Sequence, residues 1–321
     1  MTSSKGRPTM KNYLVTGGAG FIGSHIAEEL VRRGEKVRVL DNFSTGKREN
    51  LAPFRNFIEL IEGDIRELET CRRALRSVDF VLHQAAQTSV PRSISDPLQN
   101  HDTNINGTTN LLVASHEAEV KRFIFASSAA VYGDSHAFPL REGNEGVLLS
   151  PYALSKLVGE AYCRLFYQLY GLETVCLRYF NVFGPRQDPV SEYASVIPLF
   201  INKVLSEERP QIFGDGEQSR DFVFVADAVE ANLSAVEAPD EALGEVFNIA
   251  SGEKTTVNTL VREISELMAI SVMPFFTDPR PGDILHSFAD IGHARRVLGF
   301  EPLVGFKQGL RKTAEWYRER R

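Results

Sequence analysis

Tyr152 and Lys156 stand four residues apart in SPYALSK, residues 150–156. On a helix such neighbours share a face, and Ser150 followed by Pro151 supplies a natural N-cap and first helical residue. An ammonium beside a phenol favours the phenolate and lowers the tyrosine from its usual value of about 10. The pair predicts a base that works near neutral pH, as removal of hydride from an alcohol carbon requires; two residues on an exposed helix face would have the same spacing. Ser127 and Ser128, in FASSAAVYG, could hold the reacting oxygen, or could simply cap the end of a strand.

A second cluster suits a nucleotide. VTGGAGFIGSHIAEEL places Gly17, Gly18, Gly20 and Gly23 between an apolar run and an amphipathic one. Glycines there let the backbone turn tightly and approach a pyrophosphate at the positive end of the following helix. Asp41 ends the next apolar run at about the spacing expected of a carboxylate that binds ribose hydroxyls. Asn42 and Phe43 follow it, not arginine, so NAD is favoured over NADP. Asp64, in EGDI, is a weaker candidate, since Gly-Asp is also a common turn.

These groups need a scaffold that brings them to one edge. NYLVTG, KVRVLD, FIELIEGD, DFVLHQA, RFIFASS and ETVCLRYFN read as strands. SHIAEELVRRG, LETCRRALRS, NINGTTNLLVASHEAE and SPYALSKLVGEAYCRLFYQLYG read as the helices between them. Repeated β-then-α units predict an α/β fold, a doubly wound parallel sheet of Rossmann type whose ligands bind at the carboxyl ends of the strands. The rhythm breaks after Gly184. The expected organisation is a frayed tail at 1–10, a nucleotide-binding domain at 11–184, and a smaller substrate lobe at 185–321 with some segments returning to the first domain.

Composition bounds the rest. Of 321 residues, 43% are hydrophobic and 24% charged, with a net charge of -6, which gives no reason to expect nucleic acid or an anionic membrane as partner. Cys71, Cys163 and Cys176 are too scattered for a disulfide framework, and the seven histidines lack ligand spacing, so no metal is expected. With no apolar run near 18 residues, the expected location is the cytoplasm.

The ordered motifs YLVTGGAGFIGSH, LDNFSTGKREN, GDIRE, HQAAQTSVPRS, NINGTTNLL, SSAAVYG, SPYALSK, RYFNVFGPRQDP, VIP, GDGEQSRDFVFVAD, FNIASGE, RPGDILHSFAD and LGFEP cover nearly the whole chain. In them the sequence resembles the extended short-chain dehydrogenase/reductases, and within these the nucleotide-sugar 4-epimerases, nearest the UDP-N-acetylglucosamine 4-epimerase type. The resemblance implies tightly bound NAD, a UDP-sugar substrate and a homodimer paired through helices at 103–118 and 152–170. It assigns catalysis to Ser128, Tyr152 and Lys156. For the nucleotide it implies Gly17, Gly20, Phe21, Ile22 and Gly23 in the first turn, and Asp41, Asn42, Ser44, Thr45 and Gly46 after the second strand. Asp64 and Ile65, then Gln84, Ala85 and Ala86, then Asn104, follow, with Tyr152, Lys156 and Tyr179 beside the nicotinamide. For the sugar nucleotide it implies Ser89, Arg92, Ser127, Ser128, Asn181, Val196, Ile197, Arg220, Arg280, Asp283 and Ser287.

Relatives that share oxidation at C4 part ways afterwards. The dehydratases and decarboxylases carry acidic residues after the active-site hydroxyl residue, where this chain has Ala129 and Ala130. A methyl group transfers no proton, so elimination is disfavoured. Ser287, four after Asp283, replaces the bulky tyrosine that excludes N-acetylated sugars, and SVPRS (89–93) matches the acetamido-sugar type, while Thr88 departs from its glycine. The expected reaction is C4 epimerisation of UDP-GlcNAc/UDP-GalNAc, and of UDP-Glc/UDP-Gal, through a 4-keto sugar. The alternatives are a UDP-glucuronate 4-epimerase, with Arg92 facing the carboxylate, and a non-catalytic sensor of NAD or nucleotide sugar.

Overall fold

A computed structural model of the protein describes residues 10–189, 195–279 and 284–320. The expected tail falls almost wholly outside them. The six apolar runs form β1 (Asn12–Thr16), β2 (Lys36–Asp41), β3 (Ile58–Glu62), β4 (Phe80–His83), β5 (Arg122–Ser128) and β6 (Glu173–Tyr179). They lie parallel in the order 3-2-1-4-5-6, and β11 (Val246–Ile249) joins beside β6 as a seventh strand. The order reverses direction between β1 and β4, the switch point where doubly wound sheets bind ligands.

Successive strand residues face opposite ways, so each strand feeds two cores. Val15, Ile124 and Leu177 pack with Ile26, Leu30 and Ala228 from helices Phe21–Arg32 and Val225–Val236. Leu14, Phe123 and Phe125 pack on the other side with Leu111, Leu112 and Cys163 from helices Gly107–Glu117 and Pro151–Tyr170. The last of these begins as its sequence predicts: Ser150 Oγ accepts from Ala153 N at 3.1 Å, Pro151 is the first helical residue, and Gly171 ends the helix in a left-handed conformation.

The remaining strands are short. β7 (Asn181–Phe183) pairs with β10 (Phe222–Phe224), and β8 (Gln211–Phe213) with β13 (Phe275–Thr277). β9 (Ser219–Arg220) runs between β12 (Thr255–Thr256) and β14 (His286–Ser287). Phe183, Phe200, Ile201, Phe222, Leu260 and Leu310 form a third core under these pieces.

One helix starts differently from its reading. NINGTTNLLVASHEAE is preceded by short helices Val90–Ser95 and Pro97–His101, and its first three residues belong to a wider π-turn, Asp102–Asn106. Thr108 Oγ1 donates to the Asn104 carbonyl at 2.6 Å within this turn. Such turns often sit at functional sites, and no periodicity in the sequence announces one.

Candidate active site

The glycine turn closes on β4. Gly17 has φ +64°, and a Cβ there would lie 2.7 Å from Ala85 N; a Cβ on Gly23 would lie 2.2 Å from Gly17 O. Side chains are therefore excluded at both positions. Gly20 caps the Phe21–Arg32 helix without a side-chain hydrogen bond, and no acidic residue occupies the first turn, where Phe21 and Ile22 lie half-buried. Backbone donors at this positive end remain for an anion.

Asp41 is buried and accepts from Ala19 N at 2.9 Å and Phe43 N at 2.8 Å. Burial pushes its carboxyl up, and these two bonds oppose that. A carboxylate has about four lone-pair sites, which leaves capacity for hydroxyl donors. The chain from Asn42 to Gly46 folds over it: Ser44 N donates to Asn42 Oδ1 at 3.0 Å, Thr45 follows, and a Cβ on Gly46 would meet Asp41 Oδ1 at 2.9 Å. Asp64 is held by Arg66 and by Asn42 Nδ2, and the Arg66 hydrogen bond is the largest cause lowering it to about 2. Ile65 is buried against Gly107. These residues fit a dinucleotide with free ribose hydroxyls.

After β4, Ala85 N donates to Thr16 Oγ1 at 3.3 Å, and Ala86 is half-buried. Gln84 Nε2 reaches Tyr179 Oη at 3.2 Å and Asn232 Oδ1 at 3.1 Å, while Asn232 Nδ2 donates to Tyr179 Oη at 2.6 Å. Asn104, on the π-turn, accepts from Gln87 N at 2.8 Å and donates to Gln87 O and Ser155 Oγ, both at 3.0 Å. Ser155 Oγ in turn donates to Tyr152 O at 2.8 Å.

At the start of the Pro151–Tyr170 helix, Tyr152 and Lys156 are both buried. Ser93 Oγ accepts from Tyr152 N at 3.1 Å and donates to Val90 O at 2.6 Å, clamping the tyrosine backbone. Lys156 Nζ donates to Ala126 O at 2.7 Å and lies 5.9 Å from the centre of the Tyr152 ring. Ser128 Oγ caps Ala130 N at 3.1 Å, and its hydroxyl is the neighbour that favours ionised Tyr152. The expectation that Tyr152 lies below its usual value is not met. Burial dominates and pushes Tyr152 up, the opposing effect is the Ser128 hydrogen bond, and Lys156 itself is pushed down by burial to about 8.

Ser127 also needs correction. It precedes Ser128 on β5, so its side chain faces the other way; it is buried and donates to Glu160. Arg92 is exposed on the Val90–Ser95 helix, which Ser89 caps by accepting from Arg92 N at 3.1 Å.

On the far side, Asn181, Val196, Ile197 and Arg220 line one cavity of about 200 Å³. Asn181 N donates to Asp221 O at 3.0 Å, which sets β7 against β10. Ser287 is the register partner of Arg220 across β14 and β9. Arg280 and Asp283 lie outside the described residues. Asp221, fully buried, had drawn no notice in the sequence; its carboxylate accepts from Ser251 N, Ser251 Oγ, Gly252 N and Ala289 N and ties three segments beneath Arg220. Ser93 and Asn232 were missed likewise. Ser93 had a signal in SVPRS, whereas Asn232 had none.

The sequence matches the NAD dependent epimerase/dehydratase family over residues 13–250. It is 42% identical to a UDP-N-acetylglucosamine 4-epimerase from Methanobrevibacter ruminantium solved with UDP-N-acetylmuramic acid, with TM-score 0.93 over 97% of this chain and 99% of that one. A UDP-glucose 4-epimerase from Thermotoga maritima, solved with UDP-glucose, is also 42% identical, with TM-score 0.91 over 96% and 99%. A UDP-glucose 4-epimerase from Mycolicibacterium smegmatis is 37% identical over 96% of this chain and 98% of that protein.

Proposed function

The chain belongs to the NAD-dependent epimerase/dehydratase family, as one of its UDP-sugar 4-epimerases, and from that premise we propose that its substrates are UDP-GlcNAc and UDP-GalNAc, with UDP-Glc and UDP-Gal also accepted. The observation that carries the preference is Ser287, a small half-buried residue paired with Arg220 at the cavity that Asn181 lines. A serine leaves space for a 2-acetamido group that a tyrosine would fill.

In the proposed reaction Tyr152, as phenolate, takes the proton of the 4-hydroxyl while Ser128 holds that oxygen, and Lys156 supplies the positive charge that steadies the phenolate. Bound NAD supplies the hydride acceptor and later the hydride donor, so it is used without being consumed. The glycine turn, Asp41 and the chain through Gly46 would hold it. Asn181 and Arg220 would hold the diphosphate, and Arg280 with Asp283 the uridine side. With the diphosphate anchored, the 4-keto sugar turns its other face, and Tyr152 returns the proton to the 4-oxygen. Ala129 and Ala130 offer no group for elimination.

We assign residues 11–184 mainly to the nucleotide and 185–321 mainly to the sugar nucleotide. The protein acts as a homodimer: Leu154, Leu165, Leu169 and Tyr170 leave an apolar face exposed on the Pro151–Tyr170 helix. Among the described residues no helix is long and apolar enough to cross a membrane; three buried free thiols are consistent with the cytoplasm. The size test is Ser287→Tyr, which should abolish turnover of UDP-GlcNAc and spare UDP-glucose; equal loss on both contradicts it. Faster wild-type turnover of UDP-glucuronate than of either would favour the uronate reading, with Arg92 meeting the carboxylate.

A further inference from the structure

Beneath the dyad a second set of charges is buried on the same seam. Glu160 lies one helical turn beyond Lys156, and Lys156, Glu160 and Arg178 are 4%, 5% and 3% exposed. Arg178, the β6 partner of Ser127, forks onto Glu160 with Nε to Oε1 at 2.8 Å and Nη2 to Oε2 at 2.7 Å. Its remaining nitrogen pairs with Glu145, and its guanidinium lies 4.9 Å from the centre of the Tyr132 ring. Arg178 therefore has one carboxylate at the rim and a second in the interior. The interior one lies four residues along the helix from Lys156, and the two reach adjacent β5 residues, Lys156 the Ala126 carbonyl and Glu160 the Ser127 hydroxyl; water does not screen them there, and a buried ammonium needs an opposite charge.

We propose that Glu160 is a positioning residue for the epimerisation: its fixed carboxylate favours Lys156 as the ammonium and so raises the share of the singly deprotonated dyad that is phenolate beside ammonium. This rests on the acid/base roles proposed above. Burial drives Lys156 down and Glu160 opposes it. The other groups acting on Lys156 are Tyr152 and Cys163 on its own helix and His83 on β4, while Cys176 and Arg178 on β6 and the Ser127 hydroxyl on β5 meet Glu160. His83 is held neutral by burial, with Lys156 adding to the effect, and the Cys176 thiol is pushed up. The charge of Arg178 is answered by its two carboxylates.

Loss of one proton from the dyad leaves either phenolate beside ammonium or phenol beside amine. Removing the Glu160 charge favours the second form without altering the cost of ionising Tyr152 beside a charged lysine. In the holoenzyme Glu160→Gln should leave the acid limb of the kcat–pH profile in place, lower its plateau about tenfold, as one pKa unit on Lys156 would, and move the apparent midpoint toward acid. Tyrosinate absorbance at the plateau pH, taken as the difference from the same variant carrying Tyr152→Phe, should fall by the same factor. Glu160→Gln combined with Arg178→Gln, which leaves no unpaired buried guanidinium, should keep that altered shape. Glu145→Gln, which breaks the other Arg178 pair, should keep the wild-type shape. A uniform fall at every pH, or an unchanged plateau, in the Glu160 variants overturns the proposal. Wild-type protein that forms no C4 epimer would instead overturn the reading beneath it.

Discussion

The half of the cleft proposed for the nucleotide and the half proposed for the sugar are built differently. Around the first, backbone meets backbone: Gly17 against Ala85, Gly23 against the Gly17 carbonyl, and a buried Asp41 gripped by two main-chain donors. Around the second, strands of two or three residues carry half-buried side chains such as Arg220, at a cavity edge, and its register partner Ser287. In the first, Gly17 and Gly23 leave no room for a Cβ, so our proposal has the main chain set the ligand. The second keeps its shape through a buried carboxylate, Asp221, with half-buried side chains facing outward, and our proposal puts substrate choice there.

Tyr152, between the halves, carries the largest expected effect: Tyr152→Phe should lower kcat about 10²- to 10⁴-fold with NAD still bound, as judged by nucleotide released on denaturation. Next, Gly23→Ala should cost about 1–3 kcal/mol through the clash with Gly17 O, seen as a lower midpoint in denaturant and as NAD lost during purification. Arg220→Met should cost about 1.5–3 kcal/mol of substrate binding, raising KM and leaving cofactor content alone. If Arg220→Met emptied the cofactor site, or Gly23→Ala left it full, the division between the halves would fail.

The smallest effect per step is on stability in acid. His83 is buried between Thr16 Oγ1 at 2.7 Å and Thr108 Oγ1 at 3.0 Å, and burial lowers it to about 3. The unfolded chain, with an ordinary value of 6.5, binds the proton first. Stability should therefore fall as pH drops below 6.5, by about 1.4 kcal/mol per unit, and level off near 3. His83→Gln should flatten that slope in denaturation measured from pH 7 to pH 4.

What could be read in advance follows the same division. The glycine turn, Asp41 and the capped Tyr152 helix are local features, each contained in a stretch whose residues make contact with one another. Asn232 meets Gln84 from 148 positions away, and Asp221 gathers Ser251, Gly252 and Ala289, so neither had a local pattern to show it. The adjacent serines were both offered as candidates because a sequence does not say which way a strand is turned; alternation then sent Ser127 to Glu160 and left Ser128 with Tyr152. The direction of the Tyr152 shift was misread for a related reason. A neighbouring ammonium is visible in Tyr-x-x-x-Lys, whereas the depth to which the fold buries the pair is not.

The central claim is a C4 epimerisation that uses resident NAD and Tyr152. Its most direct test is to incubate the purified protein with UDP-GlcNAc and no added cofactor, and to resolve the C4 epimers over time. The account predicts UDP-GalNAc, with no formation under Tyr152→Phe. Protein that carries NAD and yet yields no epimer from UDP-GlcNAc, UDP-glucose or UDP-glucuronate, or a Tyr152→Phe variant as fast as wild type, would contradict it.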